Sequence, residues 1–344
     1  MASASVPLSV LDVAPVVAGE TSAKALRDST TLAMRAEQLG YRRYWVAEHH
    51  NMPGIASSSP AVLIAHLAAA TRTMRIGSGG VMLPNHAPLV VAEQFGMLEA
   101  LHPGRIDLGI GRAPGTDPAT AAALRRAPAP LSAEDFPEQL GELVRYFGDQ
   151  GPRHAGGGIT AVPAAGNQPP VWLLGSSGYS AQLAGLLGLP FAFAHHFSSE
   201  NTLPALRLYR SSFRPSDELR EPYAMVCASV LCAETDNRAR WLAGPAKLAF
   251  LRLRGGRPGV LPTPEEAAAY PYSALEEQIL DERMSSQVVG SPDTVARGVG
   301  ELLERTGANE LMITCMTHDN ADRVRSYELI AEAFALEGRS AVAV

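Results

Sequence analysis

The stretch 75–115, RIGSGGVMLPNHAPLVVAEQFGMLEALHPGRIDLGIGRAPG, decides the fold. It opens with an apolar, glycine-broken β-type run (75–83) and continues into a helical pattern (89–101). It returns to a second β-type run over 106–110. Strand, helix and strand in that order form a crossover unit, which places the two strands parallel. Working outward, the same alternation covers the chain. Further β-type runs lie at 8–13, 43–47, 171–174, 191–194, 225–231 and 311–316, giving eight in all. Helical patterns at 22–39, 61–71, 136–147, 180–187, 203–213, 237–251 and 292–305 fall between them. Gly40 and Gly188 stand where a helix end favours positive φ. Ser291-Pro292 reads as an N-cap followed by proline in the first turn.

Eight such units predict an α/β fold, a (β/α)8 TIM barrel with loop and helix insertions at its C-terminal face, occupying 1–344 as one domain. There is no Walker A sequence, and the glycines of 109–115 have the wrong spacing for a dinucleotide fingerprint. Two long excursions, 113–135 and 252–291, exceed ordinary loop lengths. The second holds a helix near 274–284, and excursions of this size are often lids.

Composition removes other classes. Hydrophobic residues make up 46% of the 344 and charged residues 19%, which builds a core and excludes disorder. A formal charge of −6 gives no attraction to nucleic acid or to an anionic membrane. Cys227, Cys232 and Cys315 are too scattered for a disulfide framework or a zinc site, so a reducing cytoplasm is the expected location. The N-terminal residues lack the pattern of a signal peptide. Residues 155–199 contain no Asp, Glu, Lys or Arg. Prolines cut that stretch into pieces too short to span a bilayer. The helical patterns 61–71, with no charge, and 89–101, with only Glu93 and Glu99, lack a solvent face. Either a long loop covers them or they form a homodimer interface, and the interface is the preferred expectation.

In a barrel, active-site groups gather where strands end. The second run ends in Glu48-His49-His50. Metal ligation is disfavoured because neighbouring strand residues face opposite ways. A structural histidine or a general acid/base oriented by Glu48 remains. Gly77-Ser-Gly79-Gly80 permits either close approach of a flat ligand or a β-bulge. Arg112 follows the fourth run directly and suits a phosphate or a surface ion pair. Ser176-Ser177-Gly178-Tyr179 leads into a helix, as an anion-binding turn or a common cap. His195 and His196 either line a pocket or cap a strand.

Together, YRRYWVAEHHNMPGIASSSP, the 75–115 block continuing through GTD, VWLLGSSGYSAQLAGLLGLPFAFAHHF and VVGSPDTV resemble the bacterial luciferase-like flavin-dependent monooxygenases. The resemblance is to the single-subunit, alkanal-monooxygenase-like subgroup, and it spans nearly the whole chain. It implies His49 as catalytic histidine with Glu48 beside it, and a non-prolyl cis peptide between Gly79 and Gly80 under the flavin. It implies phosphate binding by Arg112 and the turn Ser176, Ser177, Gly178 and Tyr179, and no metal. Gly111 replaces the cysteine that light-emitting relatives carry beside the flavin. The three cysteines here lie elsewhere in the sequence, so no thiol chemistry at the flavin is expected. Residues 252–291 correspond to a mobile lid.

The implied activity is two-component. A flavin reductase, bound transiently, supplies FMN as FMNH2, and O2 yields a C4a-hydroperoxyflavin that oxidises an apolar small molecule. Some such relatives serve natural-product pathways. Two alternatives share the barrel: a deazaflavin (F420)-dependent oxidoreductase and a non-catalytic flavin-binding protein.

Overall fold

The computed structural model describes residues 6–113, 117–125, 135–148, 153–154 and 157–338. The strands β1 (Leu8–Asp12), β2 (Arg43–Val46), β3 (Arg75–Ser78), β4 (Ile106–Gly111), β5 (Val171–Gly175), β6 (Phe191–Ala194), β7 (Ala224–Cys232) and β8 (Glu310–Thr314) are all parallel. Each pairs with the next, and β8 pairs with β1, closing the ring. Val10 lies opposite Tyr44 on one side and Ile313 on the other. The expected barrel is therefore present. Two extra segments attach at its rim: Val81–Met82 pairs on β4, and Val288–Gly290 on the far end of β7.

Strand periodicity sorts the side chains into two cores. Leu8, Val10, Tyr44, Val46, Ile76 and Ile313 pack outward against the helices. Leu11, Trp45, Ala47, Trp172, Cys227 and Met312 form a smaller cluster inside the ring. A one-residue register slip would exchange the two sets, so burial on both faces fixes the register.

The helices begin and end where local chemistry directs. Thr21 accepts the Lys24 N–H at the start of Ser22–Leu39, and Gly40 closes that helix at φ 89°. Gly188 closes Gly178–Leu187 at φ 64°. Ser291 and Pro292 open Pro292–Thr306 as expected. The excursion 252–291 is more ordered than its sequence suggested. It holds helices Pro264–Ala269, capped by Thr263, and Ala274–Met284, opened by a reciprocal Ser273–Glu276 capping box. Of the other excursion, 117–125 carry a helix (Pro118–Arg125), while 114–116 and 126–134 lie outside the described residues.

A charged layer closes the lower end of the barrel. Arg43 is 4% exposed and donates to Glu310 Oε1 at 2.7 Å and Asp107 Oδ2 at 2.7 Å. Its guanidinium lies 4.8 Å from the Trp172 ring centroid. Arg75 and the Trp45 indole also donate to Asp107, and Tyr223 and Ser9 to Glu310. Burial alone would raise the Asp107 carboxyl, but Arg43 and Arg75 outweigh it and hold the group below its usual range.

The charge-free stretch supplies β5, Gly178–Leu187 and β6, a buried barrel wall. Among the described residues, no helix is long and apolar enough to cross a membrane.

Candidate active site

A cavity of about 770 Å³ opens at the C-terminal ends of the strands. Alternation along each strand decides what enters it. Trp45, Ala47 and His49 succeed one another on the inner face. Glu48, of opposite parity, is fully buried behind that wall. There its carboxylate takes His50 Nε2 at 2.9 Å, His86 Nε2 at 2.8 Å and the Met82 N–H at 3.0 Å. Burial alone would raise the Glu48 carboxyl; hydrogen bonding and attraction from His86, then Met82 and His50, outweigh it and lower it. The residues that Glu48 is seen to hold are His50 and His86. Sequence reading missed His86, although its place in the turn just after Val81–Met82 is a usable signal.

The Gly79–Gly80 peptide is cis. A side chain at Gly80 would meet the Gly109 carbonyl oxygen at 2.7 Å, and one at Gly79 would meet Leu11 Cδ1 at 2.6 Å. Backbone packing requires glycine at Gly80, whereas at Gly79 the Leu11 side chain would have to shift, and the pair also interrupts the strand between Ser78 and Val81. Both glycines line the cavity.

At the end of the neighbouring strand β4, the Arg112 guanidinium sits 4.4 Å from the Tyr179 ring centroid. Arg112, Ser176 and Ser177 line the cavity, and Gly178 and Tyr179 form the first turn of the adjoining helix. Ser177 makes no side-chain capping bond, which leaves the first N–H groups of that helix for an outside anion. The five residues expected to act together are therefore adjacent.

His195 and His196 lie in the turn that follows β6 and separate there. His196 lines the cavity, as do Ala192, Phe193 and Ala194. Its Nδ1 donates to the Cys227 carbonyl oxygen at 3.0 Å, leaving Nε2 as the acceptor in the neutral ring. His195 is absent from the lining and bonds Thr202 Oγ1 at 2.8 Å. Burial, reinforced by Arg283, His195 and His49, pulls His196 down to about 4. An unfolded histidine titrates near 6.5, so between these values the unfolded chain binds the extra proton and stability rises with pH. His196 should remove on the order of 3 kcal/mol from stability between pH 6.5 and pH 4. Urea unfolding of His196→Gln across that window should show a flatter pH profile than the parent; coincident profiles would exclude the effect.

One expectation is corrected. Cys227 and Cys315 do line the cavity. Burial pushes both thiols up, Cys315 to about 11, so they present apolar sulfur rather than thiolate. Gly111 also lines the cavity, and a side chain there would meet Met82 Sδ at 2.8 Å. Among the described residues no group of three or more His, Cys, Asp or Glu is arranged to hold a metal ion.

The model of the family described as luciferase-like monooxygenase matches residues 8–310. The chain belongs to the luciferase-like monooxygenase family. A luciferase-like monooxygenase of Escherichia coli K12 is 46% identical, covering 96% of this chain and 97% of its own. The N-acetyl-S-alkylcysteine monooxygenase of Bacillus subtilis 168 is 34% identical over 95% of this chain and 97% of its own. The crystal structure of apo-MsnO8 superposes with a TM-score of 0.88 at 42% identity, covering 97% and 100% of the two chains. Membership makes this luciferase-like chain an enzyme of the monooxygenase class. At lower identity, where only the fold is shared, lie the FMN-bound oxygenating constituent of 3,6-diketocamphane monooxygenase (TM-score 0.72, 20%) and an F420-dependent secondary alcohol dehydrogenase (0.66, 13%).

Proposed function

We propose that the protein is the oxygenating component of an FMN-dependent two-component monooxygenase. It would receive reduced FMN from a separate, transiently bound reductase and oxidise an apolar small molecule with O2. One observation carries the reading: Arg112, stacked on Tyr179 beside the Ser176-Ser177 turn, lines one cavity with the cis Gly79–Gly80 peptide and His49. The donor set fits a flavin mononucleotide. Among the described residues Arg112 has no carboxylate partner, and no Asp or Glu lines the cavity to repel a phosphate. Bound reduced FMN would supply the electrons that activate O2.

The chain's own residues would do the rest. Arg112 and the N–H and hydroxyl groups of Ser176 and Ser177 hold the phosphate, with Gly178 and Tyr179 forming the helix start behind them. Gly79 and Gly80 admit a flat ring system without side-chain obstruction. His49 gives or takes a proton at the reacting centre. Glu48 acts behind it as a positioning group, fixing His50 and His86 against the rim. Apolar walls and the lid 252–291 exclude water.

The deciding experiment mixes the protein with reduced FMN and O2 and follows oxygen uptake and oxidised product. The substrate panel includes N-acetyl-S-alkylcysteines, the class for which one relative is named. Substrate-dependent oxygen incorporation supports the reading. Hydride transfer with F420 and no oxygen uptake would replace it with the deazaflavin alternative, and tight flavin binding without turnover of any kind would favour a carrier. Arg112→Ala should weaken FMN binding by roughly 100-fold, as two charge-assisted hydrogen bonds are lost. Fluorescence titration measures it, and an unchanged Kd would remove Arg112 from the phosphate site.

We further propose a homodimer through helices Pro60–Ala70 and Pro88–Leu101, matching the expected segments 61–71 and 89–101. Val62 is 70% exposed and Leu101 65%, and the first helix has no charged residue. Sedimentation at micromolar concentration should give the dimer mass. A monomer there would refute the interface.

A further inference from the structure

The chain has two lysines, Lys24 and Lys247, against a combined 29 lysines and arginines. Lys24 pairs on the surface with Asp28 at 2.7 Å. Lys247 instead lies half-buried on helix Asp236–Arg254, whose Ala243, Ala246 and Phe250 line the same cavity. Arg283, from helix Ala274–Met284, joins it there with its guanidinium 5.2 Å from the Phe250 ring centroid.

Both belong to the segments that roof the cavity, and neither has an acidic partner. Other arginines of this region do: Arg238 meets Asp322, and Arg252 meets Glu266. No hydrogen bond or ion pair engages the guanidinium of Arg283 or the ammonium of Lys247 among the described residues. A cation removed from water without a counterion is costly, and burial accordingly lowers the Arg283 pKa with no compensating carboxylate. Its charge is felt across the cavity, because it helps depress His196. Lys247 also stands on the partition, with Leu280 and Met284, that separates this cavity from an outer one of about 510 Å³. The outer cavity carries Glu277 and Asp281 together with Arg240. The inner one carries cations and no carboxylate.

We propose that Arg283 and Lys247 bind the carboxylate of an amphipathic organic substrate whose apolar body lies between them and the cis Gly79–Gly80 peptide. The proposal rests on the flavin reading of the same cavity, with Arg112 reserved for the phosphate. It makes the substrate class a small organic acid with an apolar body, rather than a neutral hydrocarbon. Recognition there combines charge at the roof with apolar contact to Phe250, Leu231 and Met312 along the walls.

The test uses the protein loaded with oxidised FMN and titrated calorimetrically with three matched pairs. These are octanoate and octanamide, 3-phenylpropionate and its amide, and N-acetyl-S-butylcysteine and its amide. At least one carboxylate should bind about tenfold or more tightly than its amide, since a charge-assisted contact is worth that much. In Arg283→Gln, and in Lys247→Gln as a second variant, that preference should fall below about threefold. Arg283→Lys should restore part of it, while the FMN Kd stays within about twofold throughout. Equal binding of acids and amides by the parent would overturn the proposal, as would equal weakening of both in Arg283→Gln. A loss of FMN affinity in Arg283→Gln would also overturn it, by moving that cation to the cofactor. Failure of the parent to bind FMN at all would instead strike the underlying flavin reading, and the same titrations on the unloaded protein would still report the carboxylate preference.

Discussion

Replacing His49 with alanine is expected to lower turnover by roughly 10²–10⁴-fold, the usual worth of a positioned proton-transfer group. FMN affinity should change little, because the proposed phosphate donors are other residues, Arg112 and Ser176, on other strand ends. The imidazole is delivered by strand parity: Trp45 and Ala47 precede it on the inner face, and Glu48 behind it cannot substitute. Two further readouts separate proton transfer from structural support. Added imidazole should restore part of the activity of His49→Ala, and the acid limb of the pH–rate profile should move or vanish. A loss below tenfold, with an unaltered pH profile, would assign the chemistry elsewhere. His196 is the natural rival, since it lines the same cavity and is held neutral above about pH 4. Parallel measurements on His196→Gln therefore belong in the same series.

The largest expected loss of stability comes from Arg43→Met. That substitution leaves Asp107 and Glu310, both fully buried, without the cation that bridges them at 2.7 Å each. Removing one partner of a buried charge cluster costs about 3–5 kcal/mol. For a chain of this size the thermal midpoint should drop by roughly 4–7 °C. Asp107 keeps the Arg75 cation at 2.6 Å together with Trp45, so the group left short of charge is Glu310, with Tyr223, Ser9 and the more distant Arg42 at 3.8 Å. Adding Glu310→Gln to Arg43→Met should recover part of the deficit, since it removes a stranded charge and keeps the side-chain shape. The penalty should also shrink on acidification, because a carboxyl that loses its cation takes up a proton at higher pH than before. Equal stability of Arg43→Met and the parent at neutral pH would show that the layer is hydrated.

The barrel was legible because its signal is repeated. Each unit shows a short apolar run followed by a helical pattern, and the caps at Gly40, Gly188 and Ser291 mark the joints. The adjacency of Arg112 and Ser176–Tyr179, the proposed phosphate site, was legible for a local reason: both directly follow strands whose ends must share a rim. Contacts between side chains distant in sequence were not legible. His86 and Glu48 meet across 38 positions, and nothing at either residue announces the other. Lys247 lies on the regular helix Asp236–Arg254 and Arg283 in the excursion 252–291, and only packing between them decides that both side chains reach one cavity. His195 and His196 form an instructive middle case. The strand frame places both at the barrel mouth, but they lie in the turn after β6, where alternation no longer decides which side chain faces inward.

The charged layer beneath Trp45 and Trp172 has a consequence for traffic. A barrel stoppered at its base is a cul-de-sac, so whatever settles deepest, against Leu11, Trp45 and Met312, must enter first and depart last. Order of arrival is then dictated by depth rather than by affinity. Anything that binds across the mouth, at Arg112 or Arg283, also holds the exit.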